Sequence, residues 1–185
     1  MAFKPYFLNK VNLKQAACRL QLPNAGSGIA FPALPIRIHL EHYEMKSVKD
    51  TQRATVHVGF DGRVHKRFGG PGAKLRFLNE VRVLRYLEEK QCPFVPRLLS
   101  CDEEALYLVT SNCGKIVDAI SEDKVKALFT ELETYGVRHG DAFARNVTYD
   151  ARLGRFCLID FEFATILESG EGLTQEEVAQ LQKEA

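Results

Sequence analysis

The chain has almost no net charge. Its 25 lysines and arginines stand against 24 aspartates and glutamates, leaving +1 over 185 residues. That balance removes the electrostatic case for nucleic acid or an anionic membrane as partner. A C-x-x-C pair is also missing, and the five cysteines (Cys18, Cys92, Cys101, Cys113, Cys157) are scattered and odd in number. Such spacing argues against a disulfide or zinc framework, so reduced thiols in a cytoplasmic protein are expected. No apolar run is long enough to span a bilayer, the start carries no signal-peptide pattern, and no repeats appear. The length suffices for one domain with a real core, or for two small lobes sharing an interface.

What is present is ordered along the chain. Residues 1–35 read as an extension: a short mixed segment over 11–22 suited to a helix, then stretches at 22–28 and 31–35 that proline and glycine turn into linker. Ile36, Ile38 and Leu40 alternate and predict a first strand. Residues 55–68 predict a hairpin, and its register can be argued. A three-residue loop, Asp61 to Arg63, sets Phe60 against Val64, Val58 against Lys66 and Val56 against Phe68, giving one apolar face with Lys66 as its odd member. A helix is expected over 73–90, with Phe77, Val81 and Leu84 on one side and Glu80 between them, looking to the core. A second strand pair (97–100 and 105–110) follows around a polar turn at 101–104, then a connector at 111–114. Ser121 caps a helix over 122–135 that Gly136 ends. Strands around 146–149 and 155–159 come next, and Thr174 to Glu177 spells a capping box that opens a last helix to about residue 183.

Between these last elements lie His139-Gly140-Asp141-Ala142-Phe143-Ala144-Arg145-Asn146 and then Leu158-Ile159-Asp160-Phe161-Glu162. The spacing H-x-D-x-x-x-x-N…D is one that phosphoryl transfer needs. Asp141 can orient and deprotonate a hydroxyl, Asn146 can bind a metal through its amide oxygen, and Asp160 can hold a metal that bridges phosphates. At ordinary residue usage the four coincide in about one chain in a few thousand. Lys66 and Glu80 complete the set. Burying either charge alone costs several kcal/mol, so two such residues on inward faces of neighbouring elements are expected to pair, with the carboxylate steering the lysine onto nucleotide phosphates.

Strand lysine, helix glutamate, connector, HGD-x4-N loop and IDFE together resemble the protein-kinase-like superfamily over residues 36–167. The resemblance is strongest to its small atypical branch: aminoglycoside and choline kinases, and the compact kinase subunit of the KEOPS complex. It implies an α+β fold, a minimal two-lobed kinase-like one: an extension (1–35), an antiparallel N-lobe sheet with one helix (36–112), and a truncated helical C-lobe (113–185). It further implies ATP and Mg²⁺ as cofactors, Asp141 as catalytic base, Lys66 on the phosphates held by Glu80, Asn146 and Asp160 on magnesium, and the backbone from Thr110 to Asn112 receiving adenine. His139 would support the loop structurally. The acceptor would be an unidentified hydroxyl of a protein or small molecule; autophosphorylation or ATP hydrolysis within a partner complex also fits.

Three features depart from that pattern. The stretch 43–50, where a glycine-rich phosphate loop should fall, has no glycine. Glu162 stands where D-F-G has glycine, which disfavours an in/out flip and makes Glu162 a candidate for touching the metal site or a cationic substrate. Only 25 residues follow Asp160, so the substrate site is missing, supplied by the extension, or completed by a protein partner. These features motivate the alternative of a nucleotide-binding pseudokinase acting as an interaction module. Gly69-Gly70-Pro71-Gly72, between strand and helix, is the rival phosphate site, but it lacks the P-loop spelling and reads as a tight connector.

Overall fold

A computed structural model describes residues 46–50 and 53–183, with side chains over 53–180. The expected helix at 11–22, the linker after it and the strand at Ile36–Leu40 lie outside the described residues. Those described form a mixed α+β unit of antiparallel sheets and three helices.

The first half is a five-stranded sheet of order β1-β2-β3-β5-β4: β1 (Lys46–Asp50), β2 (Ala54–Val58), β3 (Val64–Phe68), β4 (Leu98–Asp102) and β5 (Tyr107–Thr110). Helix α1 (Ala73–Glu89) packs on β3, β4 and β5. Strand periodicity puts Lys66, Phe68 and Leu108 on the face that α1 covers, and Phe68, Phe77, Val81 and Leu108 make a small core there.

The hairpin forms, but with a different register. Val58 pairs with Val64, Val56 with Lys66 and Ala54 with Phe68, so the loop spans five residues, 59–63, rather than three. Local bonds account for it: Gly59 N–H donates to the Arg63 carbonyl at 2.9 Å, and Asp61 Oδ1 accepts from Arg63 N–H at 3.0 Å. Phe60 is released to solvent instead of pairing with Val64. The slip is two residues, an even number, so every side chain keeps its face and Lys66 still points inward. Two further bounds move. The strand expected to end at residue 100 runs on to Asp102, and the turn shifts to 103–106, because Asp102 Oδ1 accepts from the N–H groups of Glu104 and Ala105. Strand β1 takes up 46–50, part of the stretch in which a phosphate-binding loop was sought.

The second half runs β6 (Lys115–Ile116), α2 (Glu122–Thr134), β7 (Val137–Arg138), a single 3₁₀ turn (Ala144–Asn146), β8 (Val147–Asp150), β9 (Arg155–Leu158), β10 (Thr165–Ile166) and α3 (Gln175–Lys183). Strands β6, β8 and β9 form one sheet, while β7 pairs with β10. Ser121 Oγ caps α2 by accepting from Lys124 N–H at 3.3 Å. The capping box of α3 is reciprocal, Thr174 N–H to Glu177 Oε2 at 2.7 Å and Glu177 N–H to Thr174 Oγ1 at 3.2 Å. The larger core lies here, where Val83, Leu84 and Leu87 of α1 meet Leu128, Leu132, Val137, Val147, Leu158 and Phe161. Helix α1 therefore belongs to both cores. That double role holds the β3 lysine and the late motif residues at fixed distances.

Candidate active site

Lys66 Nζ donates to Glu80 Oε2 at 2.6 Å and to Asp160 Oδ1 at 2.6 Å, with Glu162 Oε2 at 3.8 Å. The lysine sits mid-strand on the covered face, and Glu80 faces it from the second turn of α1. Asp160 follows β9 in a left-handed backbone conformation, φ 69°, a geometry uncommon for a residue with a Cβ. The positive φ thus falls on Asp160, whereas Glu162 needs none. The cluster has one carboxylate too many for its cations: Glu80, Asp160 and Glu162 surround Lys66 and Arg76. Burial, reinforced by Asp160 and Glu162 and opposed by Lys66, raises the Glu80 carboxyl to about 7. Burial works to lower Lys66 as well, but Asp160, Glu80 and Glu162 together outweigh it and hold its ammonium charged.

Arg76 is the residue that sequence reasoning missed. It is completely buried, and its guanidinium donates to Glu162 Oε2 at 2.9 Å and to the carbonyls of Pro71, Arg53 and Gly69. One turn on, Asn79 Nδ2 donates to the carbonyls of Glu162 (3.1 Å) and Ala164 (2.9 Å). A signal existed: Arg76, Asn79, Glu80 and Val83 stand at i, i+3, i+4 and i+7, the spacing of one helix face. Arg76 draws on the carbonyls of Gly69 and Pro71, and Val178 of α3 packs against Gly72, so the 69–72 run is anchored to both helices.

The motif loop lies next to this cluster. Asn146 Nδ2 donates to Asp141 Oδ2 and to the Asp141 carbonyl, both at 2.8 Å. Ile159 N–H donates to the Asn146 carbonyl at 3.0 Å, tying the loop to the Asp160 segment. His139 is wedged between the rings of Phe129 and Phe161, and its Nε2 donates to the Ile159 carbonyl at 2.9 Å. A carbonyl only accepts, so Nε2 carries the proton. Burial lowers the His139 pKa, and its other nitrogen, Nδ1, is buried without a partner. This is the structural support expected of it. Gly140 has φ 73°, and a Cβ there would lie 2.0 Å from the Phe163 carbonyl.

Two donors not anticipated also reach Asp141 Oδ1: Arg145 Nη2 at 2.5 Å and Gln175 Nε2, from the start of α3, at 3.4 Å. Thr110 and Asn112 lie apart from these contacts. Thr110 is a buried sheet residue paired with Val64 and Leu98. Ser111 N–H bonds the Arg97 carbonyl, Asn112 Oδ1 accepts from Gly114 N–H, and the Asn112 carbonyl accepts from Arg152. The sequence matches no protein-family model and no curated protein.

Proposed function

We propose that the chain is a minimal two-lobed kinase-like phosphotransferase that moves the γ-phosphoryl group of ATP to a hydroxyl with the help of Mg²⁺. The observation that carries this reading is the Lys66 ammonium bridging Glu80 and Asp160, residues 14 and 94 positions away. A bond network joins Asp160 to the Asp141/Asn146 loop. Buried ionic clusters of this size are costly for stability alone, whereas phosphoryl transfer needs a cation among acidic groups that hold metal.

The donor set suits magnesium. Oxygens of Glu80, Asp160 and Glu162 lie within 4.8 Å of one another, hard ligands of the kind this ion prefers. Asp160 and Glu162, with Asn146 as the amide ligand from the loop bonded to Ile159, would hold the ion, which when bound shields phosphate charge and orients the terminal phosphoryl group. The protein's own residues do the rest. Lys66 holds phosphate oxygens, Glu80 and Asp160 aim Lys66, and Asp141 accepts the acceptor's proton.

A pseudokinase reading draws on one observation, that Asp141 Oδ1 is engaged by Arg145 and Gln175. Transfer of labelled γ-phosphate separates the two. Mg²⁺-dependent transfer or release that Asp141→Ala and Asp160→Ala each lower by about 10²-fold or more supports the enzyme. Equal background signal in wild type and both variants supports the binding module.

A further inference from the structure

Arg145 is placed where an acceptor would arrive. Its side chain keeps 59% of its surface exposed, while the Asp141 side chain it bonds keeps only 11%. The guanidinium lies 4.3 Å from the ring centre of Phe143, itself 55% exposed. An exposed cation stacked on an exposed ring thus stands over a nearly covered carboxylate. Asp141 Oδ2 accepts from Asn146, and Oδ1 accepts from Arg145 and Gln175. A hydroxyl seeking Oδ1 must displace donors already there.

We propose that the acceptor is a hydroxyl compound carrying an anionic group, phosphate or carboxylate, and that this group draws Arg145 away from Asp141. The inference rests on the phosphotransfer reading above. Arg145 exchanges one carboxylate for another oxyanion, so its charge stays paired throughout, and guanidinium binds both anions through the same fork of N–H donors. A neutral acceptor offers no such exchange. Phe143, Arg145 and Gln175 are all exposed, so the anionic group meets the guanidinium from open solvent. In the reaction, the freed Asp141 oxygen takes the hydroxyl proton as the acceptor oxygen forms its bond to the γ-phosphorus. The bond from that phosphorus to the bridging oxygen breaks, and its electron pair leaves on ADP.

The test compares glycerol 3-phosphate and glycerate with glycerol, using full-length wild type, Arg145→Gln and Arg145→Lys. Binding to the Mg-ADP-loaded protein is measured by calorimetry, and labelled γ-phosphate transfer to each compound by product analysis. Wild type should bind at least one anionic probe about tenfold or more tighter than glycerol; Arg145→Gln should bring the ratio near one, and Arg145→Lys should restore part of it. The stronger anionic probe tells phosphate from carboxylate. No anionic preference in wild type, or a preference that Arg145→Gln leaves intact, overturns the inference while ATP turnover stands. Neither transfer nor hydrolysis of ATP by wild type would instead defeat the phosphotransfer reading, and this inference with it.

Discussion

Arg76 Nη1 and Glu162 Oε2 stand 2.9 Å apart, joining the first turn of α1 to the Asp160 segment across 86 residues of chain. The same guanidinium donates to backbone carbonyls of Arg53, Gly69 and Pro71, so it ties together the residue before β2, the 69–72 connector and the late motif. With Asn79 gripping the carbonyls of Glu162 and Ala164, α1 and residues 160–164 form one body. A switch that swings this helix away from Asp160 would have to break all of these bonds at once.

Removing one partner of a buried pair leaves the other charge without compensation. Arg76→Met should therefore destabilise the protein by about 3–5 kcal/mol, and Arg76→Met/Glu162→Leu by clearly less. Urea unfolding of the three proteins measures it. A single-variant loss under about 1 kcal/mol would show that the pair does not hold the segment.

Glu80 makes stability depend on pH in an unusual direction for a carboxylate. Its folded-state pKa, about 7, lies above the ordinary 4.5, so between those values the folded protein binds more protons than the unfolded chain. Stability from this group is therefore greatest below about pH 4.5, falls as pH rises towards 7, and is level above. Between pH 5 and 8 wild type should lose about 1–3 kcal/mol relative to Glu80→Gln. Parallel unfolding curves for the two proteins would contradict the buried, crowded carboxylate.

Lys66 and a divalent cation should compete for the same oxygens. In Lys66→Met the three carboxylates face Arg76 alone, and Mg²⁺ at on the order of 10 mM should raise the melting temperature by about 2–4 °C, more than in wild type. Calorimetry with Mg²⁺ and with Na⁺ at equal ionic strength checks this. Identical shifts in both proteins would argue against a metal at this cluster.

Two glycines with similar φ separate strain from clash. Gly62 (φ 75°) has open space where a Cβ would go, whereas at Gly140 (φ 73°) a Cβ would meet the Phe163 carbonyl at 2.0 Å. Gly62→Ala should cost about 1 kcal/mol and Gly140→Ala at least about 2–4 kcal/mol, with loss of any Mg-ATP turnover. Chemical denaturation of both variants gives the comparison. Equal costs would mean that the loop before Asp141 can shift away from Phe163.

Much of this arrangement was legible in short-range pattern. Alternation put Lys66 on the covered face whatever the loop length, since an even slip preserves parity. Helical spacing turned Glu80 inward, and Ser121 and the Thr174/Glu177 pair marked helix starts through bonds spanning three residues. The β7–β10 pairing was not legible, because each strand has only two residues and its partner lies some 28 positions off. Such brief strands carry no periodicity of their own.

The linear order of residues determined which side chains share a face, where helices begin, and which chemistry-bearing groups exist, because these follow from steric and hydrogen-bonding rules acting over a few positions. Folding alone decided that Arg76 would lose all contact with water, that Arg145 and Gln175 would meet Asp141, and that three carboxylates would share two cations. Those outcomes depend on how distant segments pack, and a charge's partner across a core is set by the shape that the whole chain adopts.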